Sequence, residues 1–232
     1  MKIKIKKGLK IDKKIIKELR KIKENIVICI GGNGTLIYTL KRTKKPILPI
    51  RTMEEESLGF KSDLSIRDYK EILEKIEKKE FYFEDFNKII VTADKKRFKA
   101  VNDVVIFRKT EKEVVTEIFE EKEKIIEIHG DGLIITSSFG STAYNLKANG
   151  PITKENILIV TPINANIKNS YVTSKKLKII VKRNEANLEI DGKKVGCFKN
   201  IKVKISNEKF KIVKLKGLEE SLNSKIKRIF TT

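Results

Sequence analysis

The 232-residue sequence contains no tryptophan and no glutamine, and it has only one histidine and two cysteines. A single histidine excludes a metal centre built from several histidines. Cys29 and Cys197 lie far apart in the chain and lack the paired spacing of a metal site. Catalysis, if it occurs, must therefore use carboxylates, hydroxyls, amides, backbone N–H groups or a metal that arrives with a substrate.

Long apolar runs are also missing. The longest, such as Ile26–Ile30, fall far short of the roughly 18 residues that indicate a membrane span. The N-terminus alternates lysine with isoleucine and lacks the apolar core of a secretion signal. We therefore expect a cytoplasmic protein without a membrane partner. Its 40% hydrophobic and 36% charged residues are typical of a globular chain.

Positive charge is abundant, with a formal net charge of +21. The lysines are spread along the whole chain, and in Ile201–Ser206 (IKVKIS) they alternate with apolar residues. This alternation is typical of a strand with one solvated face. We therefore interpret the lysines as a solvated surface and do not expect a nucleic-acid partner, although a lysine-rich nucleic-acid binder remains the least favoured alternative.

The first third of the chain alternates strand and helix patterns. Apolar residues at helical spacing in Ile11–Glu24 and Ile66–Lys79 predict two amphipathic helices. The β-branched run Ile26–Ile30 predicts a strand buried on both faces, and Pro46–Ile50 a second strand. The pattern indicates a three-layer, Rossmann-like α/β domain over residues 1–80.

From about residue 81 the apolar period changes to two. Many short strand candidates follow, among them a continuous one at Phe98–Arg108, and a compact helix is predicted at Ser141–Ala148. These strands favour an antiparallel β-sandwich domain over residues 81–217. A closing helix at Leu218–Ile229 is expected to return to the first domain, so that residues 218–232 belong to it. The predicted fold class is α/β followed by all-β.

The glycine loop, Gly31–Thr35 (GGNGT), follows the first buried strand directly and precedes a short helix. Glycines at such a point let backbone N–H groups approach a phosphate, and a helix N-terminus favours the anion. The alternative is an ordinary strand-to-helix turn with Asn33 in a left-handed conformation.

A second and more specific motif joins Asp131, between two glycines, to the segment Gly140–Leu146 (GSTAYNL). We expect Asp131 at a tight turn, where its carboxylate can accept from ribose hydroxyls. The segment offers hydroxyls and free N–H groups at a helix start, and Tyr144 offers a face on which a base can stack. The alternative is a plain turn and helix cap with Tyr144 in the core.

A third motif is the pair Asn102-Asp103, flanked by apolar residues within a predicted strand. A buried amide can recognise the edge of a purine, and the neighbouring acid can hold a sugar hydroxyl or metal-bound water. A plain bulge or turn is the competing interpretation of the pair.

In this order the three motifs resemble the NAD kinase family, whose pattern is Gly-Gly-Asp-Gly-Thr, an Asn-Glu pair, and a long block ending in Gly-Pro. Here they read GGNGT, ND and DGLIITSSFGSTAYNLKANGPI, and the likeness spans most of the chain. The resemblance implies phosphoryl transfer from ATP, accompanied by Mg²⁺, or from polyphosphate to the adenosine-ribose 2′-hydroxyl of NAD. It also implies a homodimer or homotetramer.

The resemblance places Asn33 at the catalytic position and assigns no residue to a protein-bound metal. Residues expected to bind the substrates are Gly32, Gly34, Thr35, Phe60, Asn102, Asp103, His129, Asp131, Thr142, Ala143, Tyr144 and Lys147.

Asn33 departs from the family pattern, because the family has an aspartate there. A neutral amide cannot accept the proton of the hydroxyl, although it can still form hydrogen bonds. Three readings stay open: a weak or binding-only paralogue, an engineered substitution, or an active enzyme that uses another acid. The alternative to an NAD kinase is therefore an NAD(P)-binding sensor or regulatory protein. Lys147 replaces a serine and Asp103 replaces a glutamate of the pattern.

Overall fold

The computed structural model describes residues 2–52, 62–221 and 223–225. The chain divides into two compact units, residues 1–85 with 210–232, and residues 86–209. The elements that lie wholly in the first unit are β1 (Lys2–Ile5), α1 (Lys13–Leu19), β2 (Val27–Ile30), α2 (Asn33–Leu40), β3 (Ile47–Arg51), β4 (Leu64–Ser65), a 3₁₀ helix (Ile66–Asp68) and α3 (Tyr69–Glu77).

Two strands, β5 (Phe81–Ala93) and β15 (Asn200–Leu215), belong partly to each unit. The remaining elements all lie in the second unit. They are β6 (Lys96–Ala100), β7 (Asp103–Arg108), β8 (Val114–Glu120), β9 (Glu123–Thr136), α4 (Tyr144–Lys147), β10 (Leu158–Ala165), β11 (Tyr171–Thr173), β12 (Leu177–Arg183), β13 (Ala186–Ile190) and β14 (Lys193–Cys197).

The first unit is built on a parallel sheet in which β2 lies between β1 and β3. All four residues of β2 are buried, as its β-branched sequence predicts for a central parallel strand. One face of the sheet packs against α1 and α3. The buried residues shared by these elements include Leu19, Ile28, Ile30, Leu48, Ile50, Ile72 and Ile76.

The opposite face of β2 carries Cys29, whose Sγ lies 3.6 Å from Oγ1 of Thr39 in α2. Because successive strand residues point to opposite faces, α2 covers the face that α1 and α3 leave open. Helices therefore cover both faces of the sheet, which gives the three layers expected from the sequence.

The second unit is antiparallel and is organised around the 14-residue strand β9. Its first half pairs with β8, and its second half pairs with β7 on one side and β10 on the other. Strands β12 and β13 extend this arrangement beyond β8 and β7. One large apolar cluster fills the interior, and the fold class is α/β followed by a β-sandwich, as predicted.

Several local predictions are wrong in detail. The predicted strand Phe98–Arg108 is interrupted by a turn at residues 101–102, between β6 and β7. Only half of the predicted helix Ser141–Ala148 is helical, namely the four residues of α4, and the other half is turn. Residues 222 and 226–232 of the predicted closing helix lie outside the described residues. No helix in the described ranges is long and apolar enough to cross a membrane.

Candidate active site

The glycine loop of the first unit begins where β2 ends. Gly31 has φ +144°, and a Cβ there would lie 2.8 Å from Oγ1 of Thr35 and 3.0 Å from Cβ of Lys6. Both the backbone angle and the close approach therefore require glycine. Gly32 is the N-cap of α2 in an extended conformation, and its carbonyl accepts from the N–H of Leu36 at 3.1 Å.

The first turn of α2 is the phosphate-facing feature that the sequence predicts. The N–H groups of Asn33, Gly34 and Thr35 precede the first possible intrahelical donor and have no acceptor within the helix. Gly34 is exposed, and a Cβ there would meet no atom within 4 Å. Free donors, open space and a helix N-terminus together suit an anion such as phosphate.

Asn33 is the first residue of α2 and is half-buried. It is not in the left-handed conformation, so that part of the alternative reading is wrong. Within the described residues its side chain forms no hydrogen bond, which leaves the amide available to a ligand.

In the second unit, Asn102 and Asp103 are both buried, at 7% and 5% exposure. They occupy the 101–103 turn, Val101–Asp103, where β6 passes into β7. Nδ2 of Asn102 donates to Oδ2 of Asp103 at 2.5 Å. The carboxylate of Asp191 accepts from all three backbone N–H groups of the turn, at 2.6 to 3.2 Å. Two buried polar side chains are thereby held on a fixed backbone.

The hydroxyl turn, Ser137–Ala143, lies directly against the 101–103 turn. Oγ1 of Thr136 donates to the carbonyl of Asn102 at 2.6 Å. A Cβ on Gly140 would lie 1.9 Å from that same carbonyl oxygen, so only glycine allows the approach. Two of the three sequence motifs are therefore brought together within this unit.

Two hydroxyls of this turn lack a protein partner. Oγ of Ser137 and Oγ1 of Thr142 are buried atoms that form no hydrogen bond within the described parts of the chain. Unpartnered buried polar atoms are uncommon in folded proteins because they cost about 1–3 kcal/mol each. A bound ligand or water would satisfy them.

Asn145 fixes the far end of the hydroxyl turn and is fully buried. Its Nδ2 donates to the carbonyls of Ser141 at 3.0 Å and Pro151 at 2.9 Å. Its Oδ1 accepts from the hydroxyl of Thr161 at 2.6 Å. The sequence motif contained Asn145, but the three hydrogen bonds of its buried side chain were not predicted.

Tyr144 is 40% exposed, so it is not a core residue. Burial raises the pKa of its hydroxyl, and the charges of Glu189, Asp103 and Asp131 raise it further. Two of these acids, Asp103 and Asp131, belong to the sequence motifs, and the exposed ring of Tyr144 is available for stacking.

Asp131 is not at a turn, contrary to the prediction. Gly130, Asp131 and Gly132 are interior residues of β9, and the two glycines make room for neighbouring strands. A Cβ at Gly132 would lie 2.0 Å from a backbone oxygen of β7, and one at Gly130 would lie 2.6 Å from β10. The glycines there serve strand packing, not chain reversal.

Both carboxylate oxygens of Asp131 are engaged. Oδ1 lies 2.9 Å from Nε of Arg108, and Oδ2 accepts from Nδ2 of Asn164 at 2.9 Å. A ribose hydroxyl would have to bind beside these partners or displace Asn164. Arg108 and Asn164 were not singled out from the sequence.

His129 contacts an acidic side chain, whereas Lys147 is exposed to solvent. Nε2 of His129 lies 2.8 Å from Glu127, and Lys124 and His129 together lower the pKa of Glu127 to about 2. Lys147 is exposed at the end of α4 and forms no ion pair among the described residues. Phe60, the remaining predicted residue, lies outside the described residues.

Known proteins resemble this chain in sequence. The family model described as the ATP-NAD kinase C-terminal domain matches residues 101–215. The NAD kinase of Campylobacter jejuni subsp. doylei is 32% identical over 202 residues, covering 82% of this chain and 71% of that protein. That of Fusobacterium nucleatum is 30% identical over 231 residues, covering 89% and 86%.

The chain belongs to the NAD kinase family. A further NAD kinase, from Caldicellulosiruptor saccharolyticus, is 29% identical and covers 95% of this chain and 90% of its own length. The family pattern named from the sequence is thereby confirmed.

Solved structures of NAD kinase family members share the fold. The NAD kinase of Archaeoglobus fulgidus, solved in complex with ATP, superposes with a TM-score of 0.80 at 21% identity, covering 98% of this chain and 99% of that one. Yeast NADH kinase, solved with NADH, superposes with a TM-score of 0.75 at 19% identity, covering 92% and 67%.

Proposed function

We propose that this protein is an NAD kinase that transfers the γ-phosphoryl group of ATP to the adenosine-ribose 2′-hydroxyl of NAD. The observation that carries the proposal is the meeting of the 101–103 turn and the hydroxyl turn, with buried hydroxyls that have no hydrogen-bond partner among the described residues. Family membership supports the same reaction class.

The second unit supplies groups suited to a dinucleotide. Asn102 offers an amide that can pair with a base edge, and Asp103 can accept from a ribose hydroxyl. Thr142 offers a hydroxyl and Tyr144 an exposed ring for stacking. These roles are part of the proposal. We also propose that the backbone of Ala143 lies beside these groups.

The glycine loop supplies groups suited to the transferred phosphoryl. Backbone N–H groups at Gly34 and Thr35 can stabilise the phosphate oxygens, whose charge increases toward the transition state. ATP would arrive as its Mg²⁺ complex, so the ion enters as part of the substrate and offsets phosphate charge. Within the described ranges, no three His, Cys, Asp or Glu side chains form a metal-binding group.

Asn33 sets the expected rate. Its amide can orient the 2′-hydroxyl by hydrogen bonding, but it cannot hold the proton that the hydroxyl releases. Phosphoryl transfer depends chiefly on positioning and charge neutralisation. Slow but measurable transfer is therefore expected.

The test is NADP formation from NAD and ATP with Mg²⁺ at elevated temperature, with calorimetric binding of both substrates. The proposal requires NAD binding and NADP production that depends on both substrates. Absence of binding to NAD, NADP and ATP would overturn it. Replacing ATP with polyphosphate in the same assay identifies the donor.

A second function, an NAD(P) sensor or regulatory protein, is favoured by one observation. The position expected to carry a carboxylate carries an amide whose side chain forms no hydrogen bond among the described residues. A sensor predicts tight dinucleotide binding without NADP formation. An Asn33→Asp variant that gains kinase activity would show that the remaining machinery is intact.

A further inference from the structure

We propose that Asp191 is a positioning residue for NAD, acting through the 101–103 turn. This inference rests on the proposed function, because it assumes that Asn102 and Asp103 contact the dinucleotide. Asp191 lies in the short turn between β13 and β14, in the sequence DGKKVG. No role for it follows from the motifs themselves.

The contacts of Asp191 form a reciprocal clamp. Its Oδ1 accepts from the N–H groups of Val101 at 3.1 Å, Asn102 at 2.6 Å and Asp103 at 3.2 Å. Its Oδ2 also lies 3.1 Å from the N–H of Val101. In return, its backbone N–H donates to the carbonyl of Asp103 at 3.0 Å. Asp191 therefore binds the three backbone N–H groups of the turn and also the carbonyl of Asp103.

The clamp has a physical consequence for the side chains that it does not touch. Hydrogen bonds to an ionised carboxylate are about twice as strong as neutral ones. They fix the backbone angles from which the side chains of Asn102 and Asp103 extend. Thr136 and Gly140 hold the opposite, carbonyl side of Asn102. Without Asp191 the turn would be held from one side only.

Two variants separate this role from a general effect on folding. Asp191 has φ +50°, a left-handed conformation that glycine adopts freely and asparagine tolerates. Asp191→Gly therefore removes the carboxylate without imposing backbone strain. Asp191→Asn keeps one acceptor oxygen but removes the charge, so it should show a smaller effect in the same direction.

The protein contains a matched control. Asp94 also has a positive φ, +49°, at the turn between β5 and β6. Its N–H donates to the carbonyl of Asn200 at 2.9 Å, and its Oδ1 accepts from the N–H of Asn200 at 3.3 Å. Asp94→Gly removes a similar clamp from a turn that carries no candidate site residue.

The experiment measures steady-state kinetics for NAD and for ATP with the full chain, with calorimetric NAD binding alongside. For Asp191→Gly we expect KM and Kd for NAD to rise about tenfold or more, because misplaced recognition groups weaken binding. KM for ATP should stay within about twofold, since a general loss of structure would raise both. Asp94→Gly should change neither.

A double-mutant cycle tests the route of the effect. If Asp191 acts through the turn, Asn102→Ala should cost much less in the Asp191→Gly background than in the wild-type protein. Additive effects, or an unchanged NAD affinity in Asp191→Gly, would overturn the assignment while leaving the proposed kinase intact. If Asp191→Gly does not fold, Asp191→Asn decides in the same way. If the wild-type protein itself binds no NAD, the proposed function and this inference fail together.

Discussion

The glycine loop and the hydroxyl turn differ in how tightly their surroundings hold them. The glycine loop of the first unit presents Gly34 to open space and Asn33 without a side-chain hydrogen bond in the described chain. In the hydroxyl turn, Gly140 touches a backbone carbonyl and Asn145 is buried with three hydrogen bonds. A turn that receives a mobile phosphate needs access, whereas a turn that recognises a substrate needs a fixed shape.

Adding one methyl group to each turn tests the difference between them most directly. Gly140→Ala places a Cβ about 1.9 Å from the carbonyl oxygen of Asn102, so the backbone must move. We expect a loss of more than about 3 kcal/mol in the free energy of unfolding, or failure to fold. Urea denaturation of the purified protein measures it.

Gly34→Ala is the matched change in the open turn. Its Cβ meets nothing within 4 Å, and Gly34 lies in the first turn of α2 with a negative φ. Stability should be unchanged or higher by up to about 1 kcal/mol. A Gly34→Ala protein as unstable as Gly140→Ala would show that the two turns do not differ.

The second prediction concerns the buried amide that supports the hydroxyl turn. Asn145→Leu keeps the branched shape of the side chain, with larger methyl groups, but leaves the carbonyls of Ser141 and Pro151 and the hydroxyl of Thr161 without this partner. We expect a cost of about 2–4 kcal/mol in unfolding free energy. Lys147→Ala in the same short helix, which removes an exposed side chain, should stay within about 0.5 kcal/mol.

The third prediction concerns the chemistry at Asn33 in the glycine loop. Asn33→Asp supplies a carboxylate that can accept the proton of the 2′-hydroxyl, so kcat should rise about tenfold or more, with KM for NAD nearly unchanged. Equal rates in the two proteins would remove Asn33 from any catalytic role. Because Asn33 precedes Gly34 and such pairs can deamidate, intact-mass measurement must verify the wild-type sample.

The smallest expected effect concerns the thiol of Cys29 in β2, the strand that precedes the glycine loop. Burial raises the pKa of Cys29 to about 11, although its contact with Thr39 acts in the opposite direction. Near pH 8 the thiol should stay protonated and unreactive, and a thiol reagent should modify exposed Cys197 alone. Rapid labelling of Cys29 at that pH would show that α2 separates from β2 more readily than the burial of this thiol suggests.

The fold class could be predicted because its signals are local. The buried run that becomes β2 and the change of apolar period near residue 81 are both readable over a few residues. The glycine loop was found for the same reason, since strand, glycines and helix follow one another directly. The individual roles of the site residues stay predictions.

Two features could not be predicted because their causes are distant in sequence. Gly130 and Gly132 resembled turn residues, but they are needed where β9 approaches backbone atoms of β10 and β7. Asp191 acts on a turn about 90 positions earlier in the chain. Asp191 precedes a glycine and is left-handed, but its own sequence context does not indicate its partners.

The span between Asp191 and its partners has a consequence for biosynthesis. A ribosome that has released the first 160 residues has delivered the 101–103 turn and the hydroxyl turn, but not the Asp191 carboxylate that holds the first of them. Contacts across such separations form slowly, and the unsecured segment stays exposed meanwhile. Until residue 191 has emerged, the 101–103 turn of a growing chain therefore lacks the carboxylate that accepts from its three backbone N–H groups.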